Sequence, residues 1–533
     1  MTAASFTVLV TDGVSGGGLQ PLRDDDRFRI VQVDDPSDAA FEQALGVAHG
    51  LIVRSATTVD AGLLARARAL RVVGRAGVGV DNIDLDAATA RGVAVLNAPA
   101  GNTVSAAELT LALILSVVRR VAEADASIRR GEWARSRFKG AELRGRTLGL
   151  IGAGRIGGEV ARRCRAFGMQ VVAHDPYLTD ERAAELQVER ADLDTVLARA
   201  DVLSLHVPLT DATRGMIGPE ALGRMKHGAY LVNVARGGLI DEAALAAALE
   251  EGRLAGAALD VYANEPLEEG SALRSAPNLV LTPHLGASTR EAQELVATEI
   301  AEAVRASLAE GDLSRALNAP AIGGDTVRAL APLFALGRNL GFLGCALAHG
   351  GIRGVEVRYS GSSDEALEPL AAYVLVGLLE NIIGRDQVNF VSAGHLARQR
   401  GMAVARTRLS EDAHYPELIE LDVRTDTDAL RLAGALLGDA HPRIVRIGDF
   451  GVDIVPGGTL VVLRNQDVPG VIGRVGTLLG DHGINIAGYH QGRLSKGGDA
   501  LAAISVDGEV NEDVRAALLD LPVVSEAVVV RLG

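Results

Sequence analysis

Residues 148–157 read Leu-Gly-Leu-Ile-Gly152-Ala-Gly154-Arg155-Ile156-Gly157, a short apolar run that breaks into a glycine turn and opens a helical stretch to Phe167. Few folds tolerate that combination. The first glycine permits a tight turn, the second lets backbone approach a pyrophosphate, and the third lets helix and strand pack closely. A diphosphate then sits at the helix N-terminus, where free N–H groups and the helix dipole favour it. Asp175 ends the next apolar run, about twenty residues on, placed to accept hydrogen bonds from ribose hydroxyls. A carboxylate there repels a 2′-phosphate. Pro176 and Tyr177 follow it rather than basic residues, so NAD is expected over NADP.

The sequence around this turn predicts parallel sheets. From Thr7 to about Pro99, short apolar runs (Val8–Val10, Leu51–Val53, Val72–Val73, Val93–Val95) alternate with Ala/Leu-rich helical stretches, which is βαβ rhythm. A helix is expected from Ser105 to Arg130. A second series starts at Thr147, with strands predicted at Leu148–Ile151, Gln170–Ala173, Val202–Leu205, Ala229–Val232, Ala257–Leu259 and Leu279–Leu281. A long amphipathic helix, roughly Ser288 to Glu310, then returns the chain to the first lobe. Beyond Asn318 helices mix with strands, Pro456-Gly457-Gly458 reads as a linker, and the last stretch follows a β-α-β-β-α-β order of ferredoxin-like type. A chain of 533 residues has room for about three or four domains. The divisions expected are 1–100 with 285–318, 101–284, 319–456 and 457–533.

Two clusters at strand ends carry chemistry: Asn233-Val234-Ala235-Arg236-Gly-Gly, and Thr282-Pro-His284-Leu-Gly286-Ala287-Ser-Thr, with Glu265 between them. Ligands in open α/β sheets bind outside the carboxyl ends of strands. A guanidinium there can pair bidentately with a substrate carboxylate. An imidazole can take the proton that alcohol oxidation releases, and a carboxylate can raise its basicity. His206 also ends a strand but has no acid in a comparable setting, so it reads as structural or cofactor-lining. Arg54 with Ser55, and Arg75, end strands of the first series and place two further guanidiniums there, with Asn102 beside the crossover as a polar partner; if the substrate carries a phosphate, as the resemblance given below implies, they could supply its charge-assisted bonds. No Cys/His spacing suggests zinc.

Bulk properties exclude other classes. A net charge of −15 argues against nucleic-acid or anionic-membrane partners. Two cysteines give no disulfide framework. The N-terminus lacks the regions of a signal peptide, and no apolar run approaches the ~20 residues of a membrane span. A cytoplasmic location is the expectation.

The segments Val73–Asn82, Gly152–Gly157, Asn233–Gly238 and Pro283–Thr289 resemble the D-isomer-specific 2-hydroxyacid dehydrogenases, and within them the enzymes that act on D-3-phosphoglycerate. The resemblance covers residues 5–318 densely. It implies two doubly wound, Rossmann/flavodoxin-like parallel-sheet lobes, with Arg236, Glu265 and His284 catalytic. It implies that Val78, Arg155, Ile156, Asp175, Val207, Val234–Arg236, Asp260 and His284–Ala287 line the NAD site. Val78 and Val207 stand where relatives often carry threonine, leaving backbone contacts there. The function implied is NAD-dependent oxidation of 3-phosphoglycerate, with another 2-hydroxy acid (2-hydroxyglutarate, glycerate, lactate) or a non-catalytic amino-acid sensor as alternatives. The C-terminal module resembles an ACT domain, in which Asn465, Asp467 and Asn485 would bind an L-serine effector between two subunits of a homo-oligomer. Residues 319–456 resemble the α+β intervening domain of longer family members. There Arg443 and Arg446 are conceivable anion ligands, although a solvated basic face fits them better. Arg135 and Lys139, after the lone Trp133, are weaker candidates for reaching a neighbouring subunit's site.

Overall fold

The structure, a computed structural model, describes residues 6–410, 415–438 and 441–532. The first sheet holds β1 (Phe6–Val10), β2 (Phe28–Gln32), β3 (Gly50–Val53), β4 (Val72–Arg75) and β5 (Ala94–Asn97) in the order β2-β1-β3-β4-β5. The second holds β6 (Thr147–Ile151), β7 (Gln170–His174), β8 (Glu189–Arg190), β9 (Val202–Leu205), β10 (Ala229–Asn233), β11 (Leu254–Leu259) and β12 (Leu279–Leu281) in the order β12-β11-β10-β9-β6-β7-β8. All pairings in both are parallel. Strand order reverses between β1 and β3 in one sheet and between β6 and β9 in the other. The carboxyl edges at those two switch points are where a ligand fits. The helix Thr103–Arg119 carries the chain into the second lobe. The helix Arg290–Glu310 returns, burying Val296, Ala297, Ile300, Ala301 and Val304 against Val8, Val10, Ile52 and Val72 of the first sheet.

Two local expectations change, and one strand goes unforeseen. The helix expected over 105–130 breaks at Arg120, which adopts φ 53°. Its guanidinium binds Glu123, the Arg137 carbonyl and the Asn278 side chain, and these contacts hold the left-handed backbone. The strand at Leu279–Leu281 is half-exposed rather than buried, because it is the sheet edge with β11 as its neighbour. Edge strand β2 (Phe-Arg-Ile-Val-Gln) was hidden in the sequence, since its half-exposed residues form no clean apolar run.

The third sheet comprises β13 (Ile352–Ser360), β14 (Ala403–Arg408), β15 (Glu417–Thr425), β16 (Ala429–Leu437), β17 (His441–Ile447) and β18 (Phe450–Ile454), in the order β14-β13-β15-β16-β17-β18. The helices Ala331–Leu347 and Leu367–Ile383 pack on it and on each other. The segment Asp364–Ile383 is long and apolar enough to cross a membrane, yet it lies mostly buried in this core.

The fourth sheet comprises β19 (Gly458–Gln466), β20 (Asn485–Arg493), β21 (Asp499–Asp507) and β22 (Val524–Leu532), in the order β20-β21-β19-β22. The alternation of strand side chains splits its two faces. Val461, Leu463, Ala502 and Ile504 pack under the module's own helices. Leu460, Val462, Leu501, Ala503, Val530 and Leu532 face the other way and join the core of the preceding domain, with Leu333, Leu340 and Ile454. The expected linker at Pro456–Gly458 is a short, largely exposed joint between two modules that share one continuous core.

The three proposed effector residues do not meet within one chain. Asn465 pairs with Ala500 at the start of β21, whereas Asn485 pairs with Asp507 at its end. Seven residues of strand separate them, roughly 23 Å at 3.3 Å per residue. Asp467 accepts hydrogen bonds from Arg493 (3.0 Å) and the Gly497 amide (3.2 Å), and Asn485 donates to Asp507 (2.7 Å).

Candidate active site

The glycine turn leaves β6 with Gly152 at φ 92°, and a β-carbon there would lie 2.5 Å from the His206 carbonyl oxygen. One at Gly157 would lie 2.2 Å from the Gly152 carbonyl oxygen, whereas Gly154 faces open space. The turn thus packs tightly on its protein side and stays bare on the other, a cradle that suits a diphosphate at the N-terminus of the helix Arg155–Ala166. Arg155 is exposed at that terminus. Asp175, at the end of β7, receives the amides of Ala153 and Tyr177, each at 2.9 Å, which ties it to the turn.

Beside the turn a cavity of about 270 Å³ runs between the lobes. Val78, Asn102, Ile156, His206, Val207, Val234, Ala235, Gly286 and Ala287 line it, together with Arg75, Arg236 and His284. Most of these contribute apolar surface, as a planar aromatic ligand requires. The Asn102 side-chain oxygen is buried with no partner in the chain. The His206 ring, whose Nε2 meets Ser204 Oγ at 2.9 Å, is pulled by burial to about 4 and stays neutral. No carboxylate supports it, so its role differs from that of His284.

Asp260 takes a different place from the one expected. Fully buried at the end of β11, its carboxylate does not line the cavity. It accepts the Leu285 amide (2.7 Å), the Thr282 hydroxyl (2.6 Å) and the Gly286 amide (2.9 Å). Burial raises its proton affinity despite these three bonds. Its work is to hold the turn that carries His284, whose own amide bonds the Asp260 carbonyl at 2.9 Å. His284 sits at φ 56°, a conformation a non-glycine residue keeps only under such restraint.

His284 Nδ1 lies 2.7 Å from Glu265 Oε2, and Glu265 Oε1 accepts the Tyr262 amide at 3.0 Å. The Glu265 hydrogen bond raises the proton affinity of His284 against the effect of burial. Burial pushes Glu265 up, but the bonds from His284 and Tyr262 bring it below the usual carboxylate range. The pair leaves Nε2 as the nitrogen available for proton transfer. Tyr262 also braces the strand end, its hydroxyl donating to the Thr282 carbonyl at 2.8 Å. Sequence spacing gave no sign of that support.

A second, larger cavity of about 580 Å³ opens from His284 toward the first lobe. Arg54, Ser55, Arg75, Asp81, Asn82, Arg236, Glu265 and His284 line it. Asp12, at the end of β1, fixes the β3 strand end by accepting the amides of Arg54 (2.8 Å) and Thr57 (3.1 Å). Arg75 donates to the Ala76 carbonyl at 2.9 Å, while its Nε is buried without a partner. Burial, followed by the charges of Arg236 and Arg54, lowers Arg75 to about 10. Three guanidiniums converge on one hollow, a charge set that could hold a multiply charged anion. Asp81 and Asn82 are not among the residues expected to bind substrate, although both lie in the Val73–Asn82 segment that carries the family resemblance. Among the described residues no group of His, Cys, Asp and Glu could hold a metal ion.

Comparison with known proteins agrees with this architecture. Residues 111–286 match the family model for the D-isomer specific 2-hydroxyacid dehydrogenase, NAD binding domain. Residues 329–448 match the D-3-phosphoglycerate dehydrogenase intervening domain, and 459–523 the ACT domain. The chain is 41 % identical over 519 residues to a D-3-phosphoglycerate dehydrogenase of Bacillus subtilis, covering 97 % of this chain and 98 % of the relative. It is 42 % identical over 488 residues to one from Archaeoglobus fulgidus, covering 91 % and 92 %. A crystal structure of D-lactate dehydrogenase from Aquifex aeolicus, complexed with NAD and lactic acid, superposes with a TM-score of 0.51 at 31 % identity, covering 58 % of this chain and 97 % of that one. With such identity sustained along nearly the whole of both curated relatives, the chain belongs to the D-3-phosphoglycerate dehydrogenase family.

Proposed function

We propose that the chain catalyses NAD-dependent oxidation of D-3-phosphoglycerate to 3-phosphohydroxypyruvate, the first step of L-serine biosynthesis. One observation carries this reading: a three-arginine hollow opens directly onto the His284–Glu265 pair beside the glycine cradle. Residues 1–100 with 285–318 would hold the substrate and 101–284 the cofactor. Gly152–Gly157 and Asp175 would hold the diphosphate and adenosine side of NAD, with Val78, Ile156, Val207, Val234 and Ala287 around the nicotinamide. NAD bound there supplies the hydride acceptor.

Arg236 clamps the substrate carboxylate, and Arg54 and Arg75 take the phosphate, with Ser55 and Asn102 as polar partners. His284 Nε2 receives the hydroxyl proton as the O–H bond breaks, the C2–H pair departs as hydride and the C=O bond forms. Glu265 stabilises the resulting imidazolium. The two lobes exclude water around this step, since charge-assisted bonds strengthen in a dry site. Residues 319–456 and 457–533 form the regulatory half. An L-serine pocket there would assemble Asn465 and Asp467 of one copy with Asn485 of a second, in a cytoplasmic homo-oligomer, because one chain cannot bring them together. The discriminating assay is NADH formation across D-3-phosphoglycerate, D-glycerate, D-lactate and D-2-hydroxyglutarate, with and without L-serine. Comparable rates on all four acids would overturn the substrate assignment.

A further inference from the structure

Arg236 belongs to the second lobe, after β10, and Asp81 to the first, shortly after β4. Their side chains meet across the cleft, Arg236 Nε lying 3.2 Å from Asp81 Oδ2. A β-carbon at Gly79 would lie 2.0 Å from an Arg236 guanidinium nitrogen and 2.8 Å from the Asp81 carboxylate, so the pair rests directly on bare backbone. Two acids line the larger cavity with its three arginines. Glu265 is engaged by His284. Asp81 is therefore the acid that balances the anion-binding charges, and its field also opposes the lowering of Arg75.

We propose that Asp81 is a built-in counter-ion: without substrate it holds Arg236 across the lobes, and the carboxylate of the hydroxy acid displaces it on binding. This rests on the function proposed above and names a positioning residue for the same site. Exposure makes the exchange easy. The Asp81 side chain is 69 % exposed and Arg236 27 %, and an ion pair so open to water is weak. The acid thus keeps the cationic hollow ordered and weakens its hold on anions, substrate and stray ions alike, by the same modest factor.

The test compares wild type with Asp81→Asn and Asp81→Glu, using inorganic sulfate as a probe in titration calorimetry and D-3-phosphoglycerate in steady-state assays. Asp81→Asn is expected to tighten sulfate binding about two- to fivefold at low ionic strength, with the gap closing as salt rises. KM for phosphoglycerate should fall in parallel while kcat stays within about twofold, the pattern of altered ground-state binding. Asp81→Glu should restore both values. Sulfate binding in Asp81→Asn that is unchanged or weaker would overturn the proposal, as would an Asp81→Glu protein indistinguishable from Asp81→Asn. Failure of the substrate assignment looks different: wild type forms no NADH from phosphoglycerate, while the sulfate comparison still judges Asp81.

Discussion

The imidazole of His284 is held in two ways at once, by a left-handed backbone that Asp260 restrains and by the Glu265 hydrogen bond. Removing the base should cost the rate that general-base catalysis supplies. His284→Ala is expected to lower kcat about 10²- to 10⁴-fold with little change in KM, measured by NADH formation. The pH dependence follows from the sign of the shift. Oxidation needs a neutral imidazole, and Glu265 raises the proton affinity of His284 above its ordinary 6.5. The rate should therefore climb with pH through a midpoint above 6.5. In Glu265→Gln the midpoint should move to lower pH and the plateau rate should fall; a midpoint left in place would show that Glu265 does not tune the base. In the anion hollow, Arg54→Ala and Arg75→Ala should each raise KM for phosphoglycerate about 10- to 100-fold, as loss of a charge-assisted bond of ~1.5–3 kcal/mol implies.

At the scale of elements, the carboxyl ends of β3, β4, β6, β10 and β11 decide the site, and the turn after β12 depends on one buried acid. Asp260→Asn keeps the shape but replaces one acceptor oxygen by an NH₂ group that must face either the Leu285 or the Gly286 amide. A destabilisation of about 1–3 kcal/mol is expected from denaturant unfolding, with kcat reduced as His284 loses its placement. Most of these strands were legible in the sequence, because buried parallel strands such as Val8–Val10 and Leu231–Val232 read as continuous apolar runs. Strand β2 and the break at Arg120 were not. The first is an edge with mixed polarity, and the second is fixed by contacts with residues 137 and 278, far away in sequence. The same distinction holds within the site. Arg236, Glu265 and His284 announced themselves by position after strands, whereas the role of Asp260 beneath the turn and the pairing of Asp81 with Arg236 exist only once the chain folds.

The whole molecule divides into a half that carries the dehydrogenase site and a half built of the intervening and ACT modules, and the latter is more unified than its sequence suggested. One face of the β19–β22 sheet is sealed against the helix Ala331–Leu347. Leu460→Ala or Leu501→Ala should therefore cost about 2–5 kcal/mol and destabilise both modules together, seen as loss of amide-exchange protection in residues 331–347 as well as in the terminal sheet. Protection lost in the terminal sheet alone would mean two independent domains. An effector at the terminal module would then act by moving this combined body, since the ACT sheet cannot turn on its neighbour without exposing that core.

On the proposed function, Arg54 and Arg75 are what make the molecule a dehydrogenase for a phosphorylated hydroxy acid. The most direct measurement is the ratio of kcat/KM for D-3-phosphoglycerate to that for D-glycerate, in wild type and in the Arg54→Ala/Arg75→Ala double variant. Wild type should favour the phosphorylated acid by about two to four powers of ten, from two bonds at ~1.5–3 kcal/mol each. The double variant should fall close to parity. A wild type without preference, or a preference that survives loss of both arginines, would contradict the account.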